Sequence, residues 1–170
     1  MTLIKNITAL LFIVVSIVCL PNISFAQTKT EILTDEALKK VVPTSFYFAG
    51  QSALTRMRNT AAAQIGKERY VIVGLVDTSG YSTEISGKYE GFFITDSPLS
   101  LGGKTLGTGA YGFGFSKDSL NIFDLSSKQI LSVKITEDAE MKRPRPLMMT
   151  ADAKGFRLYK GKNYVLIAGK

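Results

Sequence analysis

Four carboxylates fall within a short span of this chain: Asp77, Glu84, Glu90 and Asp96. A pair of them held about 5–10 Å apart across a cleft would suit general acid–base work or glycoside hydrolysis. The polar segment "DTSGYSTEISG" (77–87) surrounds two of the four and adds the hydroxyls of Thr78, Ser79 and Ser82. Tyr81, set between Gly80 and Ser82, reads as a rigid amphipathic contact at a loop tip, suited to a sugar ring or a partner protein. The same letters also spell an ordinary long turn. Asp77 and Thr78 would cap a strand end through Asx-type bonds, Gly80 would supply positive φ, and Gly87 would close the loop. The turn reading ranks first.

A second group of candidates sits in "AYGFGF" (110–115). At a period of two, Tyr111, Phe113 and Phe115 share one face of a strand, while Gly112 and Gly114 leave the other bare. Such a stripe is either core or the wall of an apolar ligand cavity, and the bare face admits close approach by a chain segment or a flat ligand. The letters G-F-G-F also occur at the centre of RNA-recognition strands. Here Tyr111 replaces the basic residue, and Ser116 and Asp118 replace the later apolar ones, so nucleic acid is not expected as a partner.

Absent residues narrow the chemistry further. The chain has no His or Trp, and its single Cys is Cys19. Without His there is no Ser-His-Asp or Cys-His nucleophile and no imidazole proton shuttle. With neither His nor Cys in the body of the chain, zinc, copper, haem and iron–sulfur sites have no ligands, so no metal and no cofactor is expected. No Ser after residue 26 has Lys three positions later, and no phosphate-cradling glycine loop or EF-hand sequence is present. Carboxylate chemistry, hard-cation binding through oxygen, or no catalysis at all remains, and a non-catalytic domain ranks first.

The elements that must position these groups read mainly as strands. "YVIVGLV" (70–76) is an apolar run of strand length. "KYEGFFIT", "AYGFGFS", "SLNIFDL", "QILSVKIT", "PLMMTA", "GFRLYK" and "NYVLIAG" follow, separated by turn formers such as "DSP", "GG" and "KGKN". This spacing predicts one antiparallel β-sandwich or barrel-like domain over 46–170. Before it, "LTDEALKKVV" predicts a short helix within the lead-in 27–45, with Thr34 as N-cap, acids in the first turn and lysines in the last. Segment 51–66 stays open between strand and helix, because its alternating start runs into Ala61–Ala63. "EDAEMKRPRP" (137–146) offers Lys142, Arg143 and Arg145 to an anionic partner, but the adjoining acids favour a solvated crossover with internal ion pairs.

Residues 1–26 have the layout of a secretory signal peptide: one cation at Lys5, an apolar run to Leu20, a break at Pro21, and small residues at Ser24 and Ala26. Removing them leaves 144 of the 170 residues and lowers the formal charge from +7 to +6, since Lys5 is lost and no acid is. The expected location is periplasmic or secreted, with no transmembrane segment once the leader is gone.

The blocks "GLVDTSGYS", "GGKTLGTGAYGFGF", "DAEMKRPRPL" and "GFRLYKGKNYV" resemble an uncharacterised family of small secreted bacterial proteins of acidobacterial type, over about Phe46 to Val165. "GGKTLGTGAYGF" is also similar to a hairpin of another uncharacterised secreted family with a β-sandwich. Both resemblances imply an exported β-rich domain and bring no activity. Three function classes stand. The first is a binding or interaction domain for an unknown protein or glycan, through Asp77, Thr78, Ser79, Tyr81, Ser82, Tyr111 and Phe113. The second is a β-barrel carrier of a small apolar ligand lined by the aromatic stripe. The third is a small hydrolase built on the carboxylates.

Overall fold

The apolar run Tyr70–Val76 forms a strand buried on both faces, and the larger of two sheets is built around it. The computed structural model describes residues 30–67 and 69–169. The leader assigned to 1–26, with Cys19, lies outside the described residues, as does the start of the lead-in. The described chain is mainly β, with two antiparallel sheets that do not close into a barrel, a sandwich-like arrangement. No helix among the described residues is long and apolar enough to cross a membrane.

The larger sheet takes β1 (Thr30–Leu33), β2 (Ser45–Phe48), β3 (Gln51–Ile65), β4 (Tyr70–Val76), β5 (Gly91–Thr95), β8 (Gly109–Phe115), β9 (Ser119–Phe123) and β10 (Gln129–Lys134). Its order is β1-β3-β4-β5-β8-β9-β10, with β2 also paired to β3. The smaller sheet runs β12 (Arg145–Asp152), β13 (Gly155–Gly161), β14 (Asn163–Gly169), β6 (Leu99–Leu101), β7 (Lys104–Leu106). A two-residue strand, β11 (Thr136–Glu137), adds to β14. The helix predicted in the lead-in is α1 (Asp35–Val41); Thr34 is its N-cap residue, although the threonine side chain makes no capping bond. A single turn, α2 (Thr83–Ser86), interrupts the loop between β4 and β5.

Segment 51–66 resolves as strand. β3 pairs with β2 at its start, with β1 at its end, and with β4 along its other edge, and the register shifts between Thr55 and Thr60. Tertiary packing overrides the helix preference of the alanines here. Ala61 and Ala63 face the inner core while Ala62 faces an outer one, and β12 passes close against this strand. The β2–β3 turn is two residues long and holds Ala49 at φ 48° and Gly50 at φ 86°. Two positive-φ residues match the twist of the flanking strands.

Alternation on the larger sheet feeds two cores. Ala61, Ala63, Val71, Val73, Phe93, Phe113 and Ile122 point inward and meet Leu147, Met149, Phe156, Leu158, Val165 and Ile167 of the smaller sheet. The opposite face carries Ala62, Ile72, Phe92 and Phe123. Left bare, it would expose a large apolar area, at roughly 25 cal/mol per Å². The β2–β3 hairpin, the residues of α1 and the 77–90 loop cover it, delivering Phe46, Phe48, Leu38, Val42, Tyr81 and Tyr89. Phe46 stacks on Phe92 with centroids 5.1 Å apart, and Phe48 stacks on Tyr89 at 3.9 Å.

Candidate functional site

The 77–87 loop is a cover for the outer core. Asp77 Oδ1 accepts from the Ser79 amide at 3.1 Å, the Asx turn its sequence predicts, and that bond with the Ser79 hydroxyl holds the carboxyl below the usual range. Thr78 O accepts from Tyr81 N, and Ser82 Oγ accepts from Ile85 N as the N-cap of α2. Gly87 ends that turn at φ −74°, and neither it nor Gly80 enters the left-handed region, so the positive φ expected of Gly80 is not used. Tyr81 departs furthest from its expected place. Its ring is buried instead of standing at a tip, and its hydroxyl donates to Gln51 O at 2.9 Å. A phenol ring joined to one polar end group gains more from the core than from water when the hydroxyl finds a carbonyl. Asp77, Ser79 and Ser82 stay exposed, and Thr78 is half-buried.

Tyr89, beside Tyr81, is fully buried, and its hydroxyl has no hydrogen-bond partner among the described residues. Burial first, and the neighbouring Tyr81 second, push its pKa far above the ordinary phenol value. An unmet buried hydroxyl costs about 1–3 kcal/mol. Tyr89→Phe is therefore expected to keep the stack on Phe48 and raise stability by about 1 kcal/mol in a urea-unfolding measurement. A loss of that size would instead reveal a partner for the hydroxyl.

Each of the four carboxylates is tied to its own neighbour. Glu84 pairs with Lys88 on the surface at 3.3 Å, and Asp77 with Arg56 at 3.6 Å. Asp96 Oδ2 accepts from Tyr70 N at 3.1 Å. Glu90 accepts from Phe115 N at 3.1 Å and forms an ion pair with Lys160, so one carboxylate bridges the two sheets. Glu90 precedes β5 and Asp96 follows it. At about 3.4 Å per residue they stand roughly 20 Å apart, beyond the span of a carboxylate pair.

The aromatic stripe runs from one end of the sandwich to the other. Tyr111, at one end, donates its hydroxyl toward Gly107 O and Thr108 O at 3.1 and 3.2 Å. Phe113 is fully buried in the inner core with Phe93, Leu120 and Ile122. Phe115, packed edge-on to Phe113, reaches the far end. The glycine face is occupied by this same chain: the Phe48 ring lies over Gly112, and the Lys88 carbonyl lies against Gly114.

At the far end, Phe115 forms one wall of an open cleft of about 550 Å³. Ile135, Pro144 and Pro146 supply further apolar wall, and Lys117, Arg145 and Lys160 supply charge; no carboxylate among the described residues lines it. Lys160 is aimed by its bond to Glu90, with Nζ 5.5 Å from the Phe115 ring centroid. A neighbouring hollow shares Lys117, Ile135 and Asn163 and adds Lys134 and Lys162 against Asp118 and Glu137. The 137–146 crossover is solvated, but its expected internal ion pairs do not form. Asp138 instead accepts from Tyr159 at 2.7 Å and approaches Arg157 of β13 at 3.8 Å. Lys142, Arg143 and Arg145 have no carboxylate partner among the described residues.

This cleft draws on four separate chain segments, and the one signal for it in the sequence was the run "KRPRP" beside the aromatic strand. Prolines flanking Arg145 restrict the backbone and remove two amide donors, so β12 pairs with β13 here only through Arg145 and Gly161 before the ladder is interrupted. The register between β12 and β13 shifts there, between Arg145 and Met148. No protein-family profile, curated protein or solved structure matches this chain.

Proposed function

We propose that this is an exported, non-catalytic binding domain, and that its site is the end cleft, taking an amphiphilic anion: a carboxylate or phosphate head on an apolar body. One observation carries the reading. Lys117 and Arg145 meet apolar walls from Phe115, Ile135, Pro144 and Pro146 in a cleft that no carboxylate of the described residues lines. A charge-assisted hydrogen bond from either cation to an anionic head is worth about 1.5–3 kcal/mol. The third cation, Lys160, is already balanced by Glu90 and sets the shape of the floor. Export rests on the leader-like residues 1–26. It agrees with the resemblance to small secreted proteins.

Titration calorimetry with dodecanoate below its micellar concentration tests the site, with dodecanol as the uncharged control. Dodecanoate is expected to bind more tightly than dodecanol, and the double variant Lys117→Ala, Arg145→Ala to weaken it by about tenfold or more. Both side chains are exposed, so folding should be unaffected. Absence of dodecanoate binding, or equal binding to the variant, would overturn the assignment.

A further inference from the structure

The β2–β3 hairpin presents two contrasting faces. Phe46, Phe48 and Ala53 anchor it on the outer core. The register pairs Tyr47 with Ser52 and Ser45 with Leu54, which puts Tyr47 and Leu54 on the opposite face as diagonal neighbours. Tyr47 is 57% and Leu54 71% exposed, and Met57 is 40% exposed further along β3. Leu125, 41% exposed, is held beside the hairpin turn because its carbonyl accepts from Ala49 N at 2.9 Å. Tyr47 and Leu54, the two most exposed large apolar side chains among the described residues, are therefore neighbours on this face, with Leu125 beside the hairpin turn. Single exposed apolar residues need no explanation, but a grouped set marks a contact surface.

Charge selects the occupant. Arg56 and Arg58 interleave with Leu54 and Met57 on the same strand, and both are exposed. Arg58 has no carboxylate partner among the described residues, while Arg56 meets Asp77 only at the surface, with both side chains more than half exposed. Asp124, the acid beside Leu125, spends its Oδ1 on Ser126 and the Lys128 amide. Tyrosine, leucine and methionine on a rigid projection, flanked by arginines, match the boundary between acyl chains and anionic headgroups. We infer that this hairpin docks the protein on the surface of an anionic phospholipid bilayer, with Tyr47 and Leu54 entering the interface and Arg56 and Arg58 meeting the headgroups.

Co-sedimentation with vesicles tests this. Vesicles of phosphatidylcholine with phosphatidylglycerol should carry the protein down, whereas phosphatidylcholine alone should carry far less, and added salt should release it. Tyr47→Ser with Leu54→Ser should abolish sedimentation at unchanged thermal stability. Arg56→Ala with Arg58→Ala should weaken it, by about fivefold for each charge lost. The charge-matched control Lys142→Ala with Arg143→Ala, exposed residues that line neither the cleft nor the hairpin, should sediment like the parent. If that control loses as much binding as the arginine variant, or if the serine variant still sediments, the hairpin is not the docking element. A dimer that dissociates in the serine variant, with no vesicle binding by the parent, would assign the face to a second copy and also overturn the inference.

Discussion

Truncation of Phe48 to alanine is expected to cost about 3–5 kcal/mol, a large share of the 5–15 kcal/mol that holds a domain of this size together. Its ring is fully buried, stacked on Tyr89, tilted against Tyr81 and edge-on to Phe123. It is also the surface that Gly112 accommodates. A Cβ at residue 112 would stand 2.2 Å from Cε2 of Phe48. Gly112→Ala alone should therefore overpack the outer core and cost about 1–3 kcal/mol. In the Phe48→Ala background the obstructing ring is gone, and the same glycine substitution should cost much less. The four proteins of this cycle, unfolded in urea, should show a coupling of about 0.5–3 kcal/mol in the direction of relief. Strictly additive losses would mean that the ring does not rest on Gly112 in solution.

The same contact shows how far the sequence is legible. Period-two alternation in "AYGFGF" identifies Tyr111, Phe113 and Phe115 as one face, and the structure places all three on the inner side of β8. The pattern also announces that something lies close against Gly112 and Gly114. It cannot say what, because Phe48 and Lys88 are far away in the chain. A bare glycine face looks the same before folding whether a ligand or a side chain will fill it. Tyr81 fails for a related reason. Between glycine and serine it looks like a loop tip, and only the β2–β3 hairpin, with the Gln51 carbonyl, gives it a core position.

The strands that could be read were those that carry their own burial, such as Tyr70–Val76, or that lie between turn formers, such as Gly155–Gly161. Short strands with mixed composition could not. Thr30–Leu33 and Lys104–Leu106 owe their pairing to β3 and β6, and Ala61–Ala63 become strand because both faces are packed. Apart from the run "KRPRP", the end cleft lies beyond local pattern. Its cations are surface residues one by one, and they form a site only because β8, β12 and β13 end at the same rim.

Gly114→Ala should be at least as damaging as the loss of Phe48, because the obstacle is backbone. A Cβ there would stand 1.9 Å from the Lys88 carbonyl oxygen and 2.8 Å from its carbon, and no rotamer change relieves that. Nor is the Lys88 segment free to retreat. Glu90 N donates to Phe113 O at 2.8 Å, and the Glu90 carboxylate accepts from Phe115 N and holds Lys160. Moving it would also pull Tyr89 from its stack on Phe48. One methyl group thus strains the outer core, the inter-sheet ion pair and the floor of the cleft together, so a cost of about 3 kcal/mol or more is expected. Gly103→Ala isolates the conformational part. Gly103 sits at φ 83° with open space around it, so its substitution should cost only about 1 kcal/mol of backbone strain. Thermal unfolding of the two variants, with dodecanoate titration of each, should show a much larger fall in Tm for Gly114→Ala. Binding should be lost in that variant and kept in Gly103→Ala. Equal falls would mean that the Lys88 carbonyl does not clamp Gly114, and that the cleft floor is set by other contacts.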